Sequence, residues 1–390
     1  MIKPHRDCFT TSVSEKLKWF KQCLWDGELT RGASLALEEL LHGCLEEDIR
    51  SQLGVGRHER GGERLDQRNG YYQRTLESSY GPVTLRVPRS RNNVYEPTVF
   101  DAYQRRTAVV EQAICDLFTA GVSTRRVGEI LELICGVSVS AATVSQVCKA
   151  LDEHVRAYQQ RPLHDCYQYL LLDGIHLRCK GADGPKCRVV LVAYGFTAAG
   201  KRELIAFRQV PGESERHCSA FLEDLRRRGL QGDNLRLIST DGGAGMLAAL
   251  NLVYPFVPLQ RCWAHKLRNV AGKLRKANQQ ACLKEAKTIY LAATERDAIR
   301  RYRRWKSNWE ALEPKAVACL QQDIQALLSF FTVPPEHRIW VRTTNAIERS
   351  FREVRRRTKP MSCFNNPASI DRIVFAVFSH LNTNWEKRSN

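Results

Sequence analysis

The sequence lacks the features of a membrane or secreted protein. It has no run of about eighteen apolar residues, the minimum for a helix that spans a bilayer. Its first residues contain no hydrophobic stretch of the kind found in signal peptides. It has 14 cysteines but no Cys-x-x-Cys pair, which argues against redox motifs and zinc fingers. We therefore expect a cytoplasmic protein with reduced thiols, of which Cys115, Cys135, Cys148 and Cys319 lie at apolar positions of helix-like segments.

The chain is also short of acidic residues relative to basic ones. It carries 60 Lys and Arg against 42 Asp and Glu, a formal charge of +18, while 43% of its residues are hydrophobic. This combination is typical of a folded protein with a polyanionic partner, and a merely basic enzyme is the weaker interpretation. The length of 390 residues predicts roughly two to four domains.

The first hundred residues predict two helices and a hairpin. Helical segments are expected at 12–25 and 33–53, and strands at 71–76 and 83–87. The charged, Gly-rich segment 54–70 fits either a solvated linker or a DNA-contacting arm. The apolar stripe of the second helix consists of Leu37, Leu41, Cys44, Leu45 and Ile49.

Residues 123–155 carry the pattern of a helix-turn-helix motif. Gly136 ends the first helix, and Ser140 can cap the second. The expected buried residues are Val127, Ile130, Leu131 and Ile134 in the first helix and Val144, Val147 and Leu151 in the second. The expected DNA-contacting residues are Arg125, Arg126, Ser145, Gln146 and Lys149. An ordinary helical hairpin is the alternative, and the basic composition favours DNA binding.

Two apolar runs each end in an aspartate followed by glycine. Residues 167–173 end at Asp173, and residues 235–241 end at Asp241. Both runs predict buried strands that stop at the acid, which places the carboxylates at the rim of a sheet. Such oxygen ligands suit Mg²⁺, which keeps coordination positions open for phosphate oxygens.

A third acid, Glu348, lies in a helix that is otherwise rich in arginine. Arg352 and Arg355 follow it by one and two turns on the same face. Together with Arg349 and Arg356 they are expected to bind DNA. A ligand that approaches Glu348 must tolerate this positive charge, as a nucleic-acid phosphate does. The alternative is a solvated helix with internal ion pairs.

Several strings together resemble the Mutator-type family of bacterial insertion-sequence transposases. They are NGYY (69–72), GVSTR (121–125), LDG (172–174), TDG (240–242), QRCWAHKLRN (260–269) and RTTNAIERSFREVRRRTKP (342–360). The resemblance places the acidic triad of the family on Asp173, Asp241 and Glu348, and its Cys-x-x-His signature on Cys262 and His265. Two soft ligands do not make a closed zinc site, so a packed thiol and a hydrogen-bonded histidine are the favoured interpretation.

The resemblance and the order of predicted strands and helices imply an α/β fold with a ribonuclease-H-like core. We expect an N-terminal helical region with a β-hairpin (1–105), a helix-turn-helix region (106–160), the first part of the core (165–262), an all-α insertion (263–339) and the second part of the core (340–390). The expected core strands between the two aspartates are 187–196 and 203–210, and a further strand is expected at 256–260.

The implied function is DNA transposition with two Mg²⁺ or Mn²⁺ ions held by the triad. The expected partner is double-stranded DNA, at the element ends and at the target. The expected form is a homodimer or larger assembly on this DNA, associated with the nucleoid. A ribonuclease-H-like nuclease or resolvase, or a non-catalytic helix-turn-helix regulator, are the alternatives. In the insertion, Trp305 and Trp309 share a helix face; core packing is favoured over stacking on an unpaired base.

Overall fold

The computed structural model describes residues 29–54, 56, 59, 65–181 and 184–389. These residues form two compact units, divided between Lys149 and Ala150. In the part of the chain described, no helix is long and apolar enough to cross a membrane. The described cysteines form no disulfide, and Cys115, Cys135 and Cys148 are buried while Cys319 is half-buried.

The described residues of the first unit form a long helix, a β-hairpin and a group of shorter helices. Its elements are α1 (Leu29–Leu53), β1 (Arg68–Ser78), β2 (Gly81–Ser90), α2 (Ala108–Thr119), α3 (Thr124–Cys135) and α4 (Ala141–Val147). The predicted helix at 33–53 and the predicted hairpin are confirmed, each with longer bounds. The helix predicted at 12–25 and residues 55, 57, 58 and 60–64 of segment 54–70 lie outside the described residues.

Helix α1 packs on the hairpin through a small apolar core. Leu45 of α1 and Leu76, Val83, Leu85 and Val87 of the strands are buried together. The predicted stripe of α1 was wrong at Cys44, which is exposed. Because Leu41, Leu45 and Ile49 already fill the inner face at i, i+4 and i+8, Cys44 falls beside that face.

Helices α3 and α4 begin at the caps that the sequence predicts, but α4 ends at Val147. Leu151, which was predicted in the same helix as Val144, is therefore the first residue of the next α-helix. Ser123 Oγ accepts a hydrogen bond from Arg126 N, and Ser140 Oγ accepts one from Thr143 N. Gly136 ends α3 with φ 66°, in the left-handed region that favours glycine. Val127, Leu131 and Val144 are buried, whereas Ile130, Val147 and Leu151 are half-buried. The prediction for Ile134 was wrong: its side chain is 70% exposed, because the buried stripe of α3 passes through Leu131 and Cys135 instead.

The second unit is a five-stranded sheet with helices. Its first elements are α5 (Leu151–Gln160), β3 (Tyr167–Gly181), β4 (Gly184–Thr197), β5 (Arg202–Val210), α6 (Glu215–Arg227), β6 (Leu237–Thr240), α7 (Ala244–Val253) and β7 (Leu259–Arg261). The remaining helices are α8 (Trp263–Ala271), α9 (Lys276–Tyr290), α10 (Glu295–Trp309), α11 (Pro314–Gln321), α12 (Ile324–Leu328), α13 (Arg338–Val341), α14 (Asn345–Thr358) and α15 (Pro367–Ser389).

The strand order of the sheet is β5-β4-β3-β6-β7. Strands β3, β4 and β5 pair antiparallel, whereas β6 pairs parallel with β3 and β7 parallel with β6. The core strands predicted at 187–196 and 203–210 are confirmed, with β4 beginning three residues earlier. The strand predicted at 256–260 was mostly wrong: Phe256 is 96% exposed, and β7 comprises only three residues.

The prediction that a strand ends at Asp173 was also wrong. Strand β3 continues to Gly181, because β4 pairs with it along its whole length. Beyond Asp173 the buried residues Ile175, Leu177 and Cys179 alternate with exposed ones. The parallel ladder with β6, however, stops at the pair Leu172 and Thr240, one residue before each aspartate.

Helices cover both faces of the sheet. Phe221 of α6 and Leu250 of α7 join Leu170, Leu172 and Leu191 of the strands in one buried cluster. On β5, Phe207 packs edge-on against Phe378 of α15 at 5.7 Å between ring centroids. Every element between residues 263 and 341 is helical, as the sequence predicts for the insertion.

Candidate active site

Asp173 and Asp241 occupy equivalent positions on neighbouring parallel strands. Each follows the last paired residue of the β3–β6 ladder, so both carboxylates emerge at the same edge of the sheet. Asp173 is 8% exposed, and Asp241 is half-buried. Asp173 Oδ1 accepts a hydrogen bond from Gly174 N at 2.9 Å, and Asp241 Oδ1 accepts one from Gly243 N at 3.0 Å.

The electrostatics of this edge favour a cation. Burial raises the pKa of Asp173 to about 6, and the nearby Asp241 adds to the rise, while His265 opposes it. Two carboxylates that repel each other in a buried place are stabilised when a positive ion lies between or beside them. Their hard oxygen atoms match the ligands that Mg²⁺ prefers, so this donor set fits the ion that the sequence predicts.

Glu348 reaches the same region from the first turn of α14. Its Oε1 lies 2.6 Å from Arg268 Nη2 and 3.4 Å from His265 Nε2. Glu348 and Asp173 therefore share His265 as a neighbour. Within the described ranges, no three His, Cys, Asp or Glu side chains are close enough to hold a metal ion as they stand. Glu348 is engaged by Arg268 instead of joining the two aspartates.

Cys262 and His265 form a hydrogen-bonded unit with Thr344. Cys262 is the N-cap residue of α8, so His265 lies one turn on, on the same side of the helix. Thr344 N and Oγ1 both donate to Cys262 Sγ, at 3.2 and 3.4 Å, and Thr344 Oγ1 lies 3.3 Å from His265 Nδ1. Cys262 and Thr344 have no exposed surface.

This unit gives His265 a positive charge at neutral pH. A hydrogen bond to Cys262 is the main cause that raises the pKa of His265 to about 8, against the opposing effect of its burial. Burial raises the pKa of the Cys262 thiol, but hydrogen bonds from His265 and Thr344 outweigh it and hold that pKa below its usual range. The Cys-x-x-His signature thus supplies a cation next to Asp173 and Glu348.

Comparison with known proteins places these residues in a family. The model of the family described as "Transposase, Mutator family" matches residues 14–388. The chain belongs to this family. The family resemblance predicted from the sequence is thereby confirmed.

Three relatives illustrate the similarity. The transposase for insertion sequence element ISRM5 of Rhizobium meliloti is 32% identical over 91% of this chain and 88% of its own length. The transposase for IS406 of Burkholderia multivorans is 34% identical, and 91% of each chain is covered. The transposase for IS256 in transposon Tn4001 of Staphylococcus aureus is 34% identical over 84% of each chain.

A basic groove adjoins Asp241 in this Mutator-family chain. The cavity measures about 620 Å³, and the residues that line it include Gly242, Arg261, Lys266, Arg268, Lys273 and Asp323. Lys266, which is 3% exposed, forms an ion pair with Asp323 in the lining of the groove. Arg268 and Lys273 are exposed, so their charges face the solvent.

Gly242 allows this groove to meet the aspartate. It has φ 82°, and a Cβ at this position would lie 1.8 Å from Arg261 Cζ. Arg261 Nη1 donates to Gly242 O at 2.7 Å. The glycine after Asp241 is therefore required both for its backbone conformation and for the close approach of Arg261.

The predicted DNA-contacting residues of the first unit lie on exposed surface. Arg125, Arg126, Ser145, Gln146 and Lys149 are all exposed. Arg126 Nη1 pairs with Glu129 at 2.5 Å, and Ser145 Oγ donates to Ala141 O at 2.9 Å. In the second unit, Arg349, Arg352, Arg355 and Arg356 are exposed on α14, opposite a buried face that includes Phe351 and Val354.

The two tryptophans of the insertion have different environments. Trp305 is completely buried, and its Nε1 donates to Cys282 O at 3.1 Å. Trp309 is half-buried, and its Nε1 donates to Glu285 Oε2 at 2.7 Å. The fully buried ring of Trp305 fits the favoured core interpretation and offers no face to a base, whereas part of Trp309 is accessible.

Sequence reasoning missed two residues of the candidate site. Arg268 lies within the QRCWAHKLRN string and one turn beyond His265, a spacing that could have indicated its contact with Glu348. Thr344, the residue before α14, contacts Cys262 across 82 positions of chain. No local pattern predicts a contact of that range.

Proposed function

We propose that this chain is a DNA transposase that binds the terminal inverted repeats of an insertion sequence, cuts the element ends and joins the freed 3′-hydroxyl to target DNA. The observation that carries the proposal is the pair of carboxylates Asp173 and Asp241, which lie at equivalent positions at one edge of the sheet, with Glu348 linked to Asp173 through His265. Membership of the family and the names of the relatives support the same function.

In this proposal Asp173, Asp241 and Glu348 hold Mg²⁺ or Mn²⁺. Two such ions supply an activated nucleophile and stabilise the leaving oxygen of a phosphodiester. The protein's own residues then have distinct tasks. The imidazolium of His265 balances the charge of the acids, and Thr344 and Cys262 fix the orientation of its ring.

The arginine that engages Glu348 is suited to exchange its partner. Arg268 is an exposed residue of the basic groove, and its side chain is 60% exposed in the ion pair. Guanidinium groups bind phosphate as readily as carboxylate. When DNA occupies the groove, a phosphate takes over Arg268, and Glu348 is free to join the aspartates.

The topology of the second unit supports a ribonuclease-H-like core. Three antiparallel strands precede two strands that extend the sheet in parallel, with a helix between β5 and β6 and another between β6 and β7. For the first unit we propose that α3 and α4 act as a helix-turn-helix that reads DNA. Two element ends must be brought together for transposition, so we propose that the active form is a dimer or larger assembly.

The test replaces each acid by its amide in the full chain. Asp173→Asn, Asp241→Asn and Glu348→Gln should each reduce Mg²⁺-dependent cleavage and strand joining to background, while binding to DNA with the element's terminal repeats remains within about threefold of wild type. Glu353→Gln on α14 is the matched control. Glu353 pairs with Arg357 outside the candidate site, so its variant should cleave normally.

The outcomes also separate the alternative functions. Near-normal cleavage by any one of the three variants would contradict the triad. Cleavage without joining by the wild-type protein would favour a nuclease or resolvase. Specific binding without any metal-dependent cleavage would favour a non-catalytic regulator.

A further inference from the structure

Glu213 is an acid outside the proposed triad that the fold holds in a fixed position. It lies between β5 and α6, directly before Ser214, whose Oγ accepts a hydrogen bond from His217 N as the cap of α6. Helix α7 approaches this turn closely at Gly245. A Cβ at Gly245 would lie 2.2 Å from the carbonyl oxygen of Glu213. The absence of a side chain at Gly245 therefore lets α7 pack directly against the backbone of Glu213.

The side chain of Glu213 is directed towards the residues that follow the two aspartates. A Cβ at Gly174 would lie 2.3 Å from Glu213 Oε1. A Cβ at Gly243 would lie 3.8 Å from Glu213 Oε2 and 3.6 Å from Asp241 Oδ1. Glutamate and aspartate oxygens are thus both within 3.8 Å of one point beside Gly243. The carboxylate occupies space that exists because position 174 carries no side chain.

Among the described residues, the ion-pair partner of Glu213 is His176, and this contact is long. His176 Nε2 lies 3.8 Å from Glu213 Oε1, and the side chain of His176 is 62% exposed. A contact of this length to an exposed histidine contributes little to stability. Burial raises the pKa of Glu213, Asp241 raises it further, and His176 opposes the rise. Two carboxylates held close together therefore repel each other unless a cation lies beside them.

We propose that Glu213 is a fourth carboxylate of the cation site and shares a divalent ion with Asp241. This inference rests on the proposed function, because it adds a residue to the same site. Its position before α6 is separate in sequence from the family strings noted above, and only the fold brings it to Asp241. An added carboxylate increases the charge that attracts the ion and the number of oxygen ligands available to it.

The first experiment measures the full chain without DNA. Binding of Mn²⁺, followed by the loss of the free-ion electron paramagnetic resonance signal, should weaken about 10-fold to 100-fold in Glu213→Gln, the usual effect of removing a supporting ligand. In metal-free buffer at pH 7.5 the same variant should melt at a higher temperature than wild type, because repulsion from Asp241 is removed. The rise in melting temperature on adding Mn²⁺ should be smaller than in wild type.

Two variants serve as controls. Glu215→Gln removes an exposed acid two residues further on and should leave both Mn²⁺ affinity and melting temperature unchanged. His176→Asn removes the histidine partner. If Glu213 served only to pair with His176, the two variants His176→Asn and Glu213→Gln would both melt at a lower temperature in metal-free buffer and bind Mn²⁺ like wild type. That result would overturn the inference.

A second experiment relates Glu213 to catalysis. The Mg²⁺ concentration for half-maximal cleavage of DNA with terminal repeats should rise about tenfold or more in Glu213→Gln, and saturating Mg²⁺ should restore much of the rate. If wild type cleaves DNA and Glu213→Gln needs no more Mg²⁺ than wild type, the role of Glu213 is refuted while the proposed function stands. A wild-type chain that binds no Mn²⁺ and cleaves no DNA would refute the proposed function, and the inference with it.

Discussion

Asp371 provides a quantitative prediction about the stability of the second unit. It lies in the first turns of α15, next to Arg372, which makes a two-pronged ion pair with Asp152 of α5 at 2.7 Å for each contact. Burial raises the pKa of Asp371 to about 6, and Asp152 adds to the rise, while Gln209 opposes it. Asp371 Oδ1 and Gln209 Oε1 are buried atoms for which the described residues provide no hydrogen-bond partner.

The replacement Asp371→Asn should stabilise the protein at neutral pH. The folded pKa lies above the usual value of 3.8. The contribution of the wild-type carboxyl to stability is therefore complete below pH 3.8 and is lost as the pH rises through about 6. The difference between the two pKa values corresponds to about 3 kcal/mol. Partial solvent exposure reduces this to about 1–2 kcal/mol.

The assay compares thermal unfolding of wild type and variant between pH 4.5 and pH 7.5. At about 2–4 °C per kcal/mol for a unit of this size, the variant should melt about 2–8 °C higher at pH 7.5. The gain should shrink steadily towards pH 4.5. Glu386→Gln, an exposed acid on the same helix, should show no such trend. A gain that is equal at every pH, or a loss at pH 7.5, would refute the reasoning from the buried charge.

Two further predictions concern DNA contact and the helical insertion. The double replacement Gln146→Ala and Lys149→Ala in the full chain should weaken binding to the terminal repeats more than binding to unrelated DNA, as measured by fluorescence anisotropy; equal losses on both would contradict base reading by α4. Trp305→Ala should destabilise the protein by about 3–5 kcal/mol in denaturant unfolding, because it leaves a cavity and removes the bond to Cys282, whereas Trp309→Ala should cost clearly less. Similar losses for the two would contradict their different burial.

Periodicity in the sequence was sufficient to predict most elements of the second unit. The strands predicted at 187–196 and 203–210 follow from runs of apolar residues, which are local signals. The end of β3 was missed because the burial of a strand's two faces can change along its length. Up to Asp173 the strand is buried on both faces, and beyond it the strand has one exposed face. The alternation from Ile175 to Cys179 indicates this change in hindsight.

The candidate site was predictable only in part, because some of its contacts join segments that are far apart in the sequence. Asp173 and Asp241 follow strand-like runs, so their meeting at one sheet edge could be expected from the strands alone. The contacts of Thr344 with Cys262 and of Glu213 with the space beside Gly174 depend on how distant segments pack. Residue types at these positions carry no spacing signal, and only the assembled fold brings them together.

Glu348 lies in an arginine-rich helix, yet its ion pair is weak enough for the carboxylate to change partners. Its contact with Arg268 involves a side chain that is 60% exposed, and exposed ion pairs contribute only about 0.2–1 kcal/mol. His265, in contrast, is held by Thr344 and Cys262, so it stays beside Glu348 whichever partner Arg268 has. Exchange of Arg268 from carboxylate to DNA phosphate therefore costs little, while the position of Glu348 next to His265 is retained. Under the proposed function, the arginines of α14 attract DNA. A phosphate of that DNA then binds Arg268, and Glu348 is released from its ion pair with Arg268.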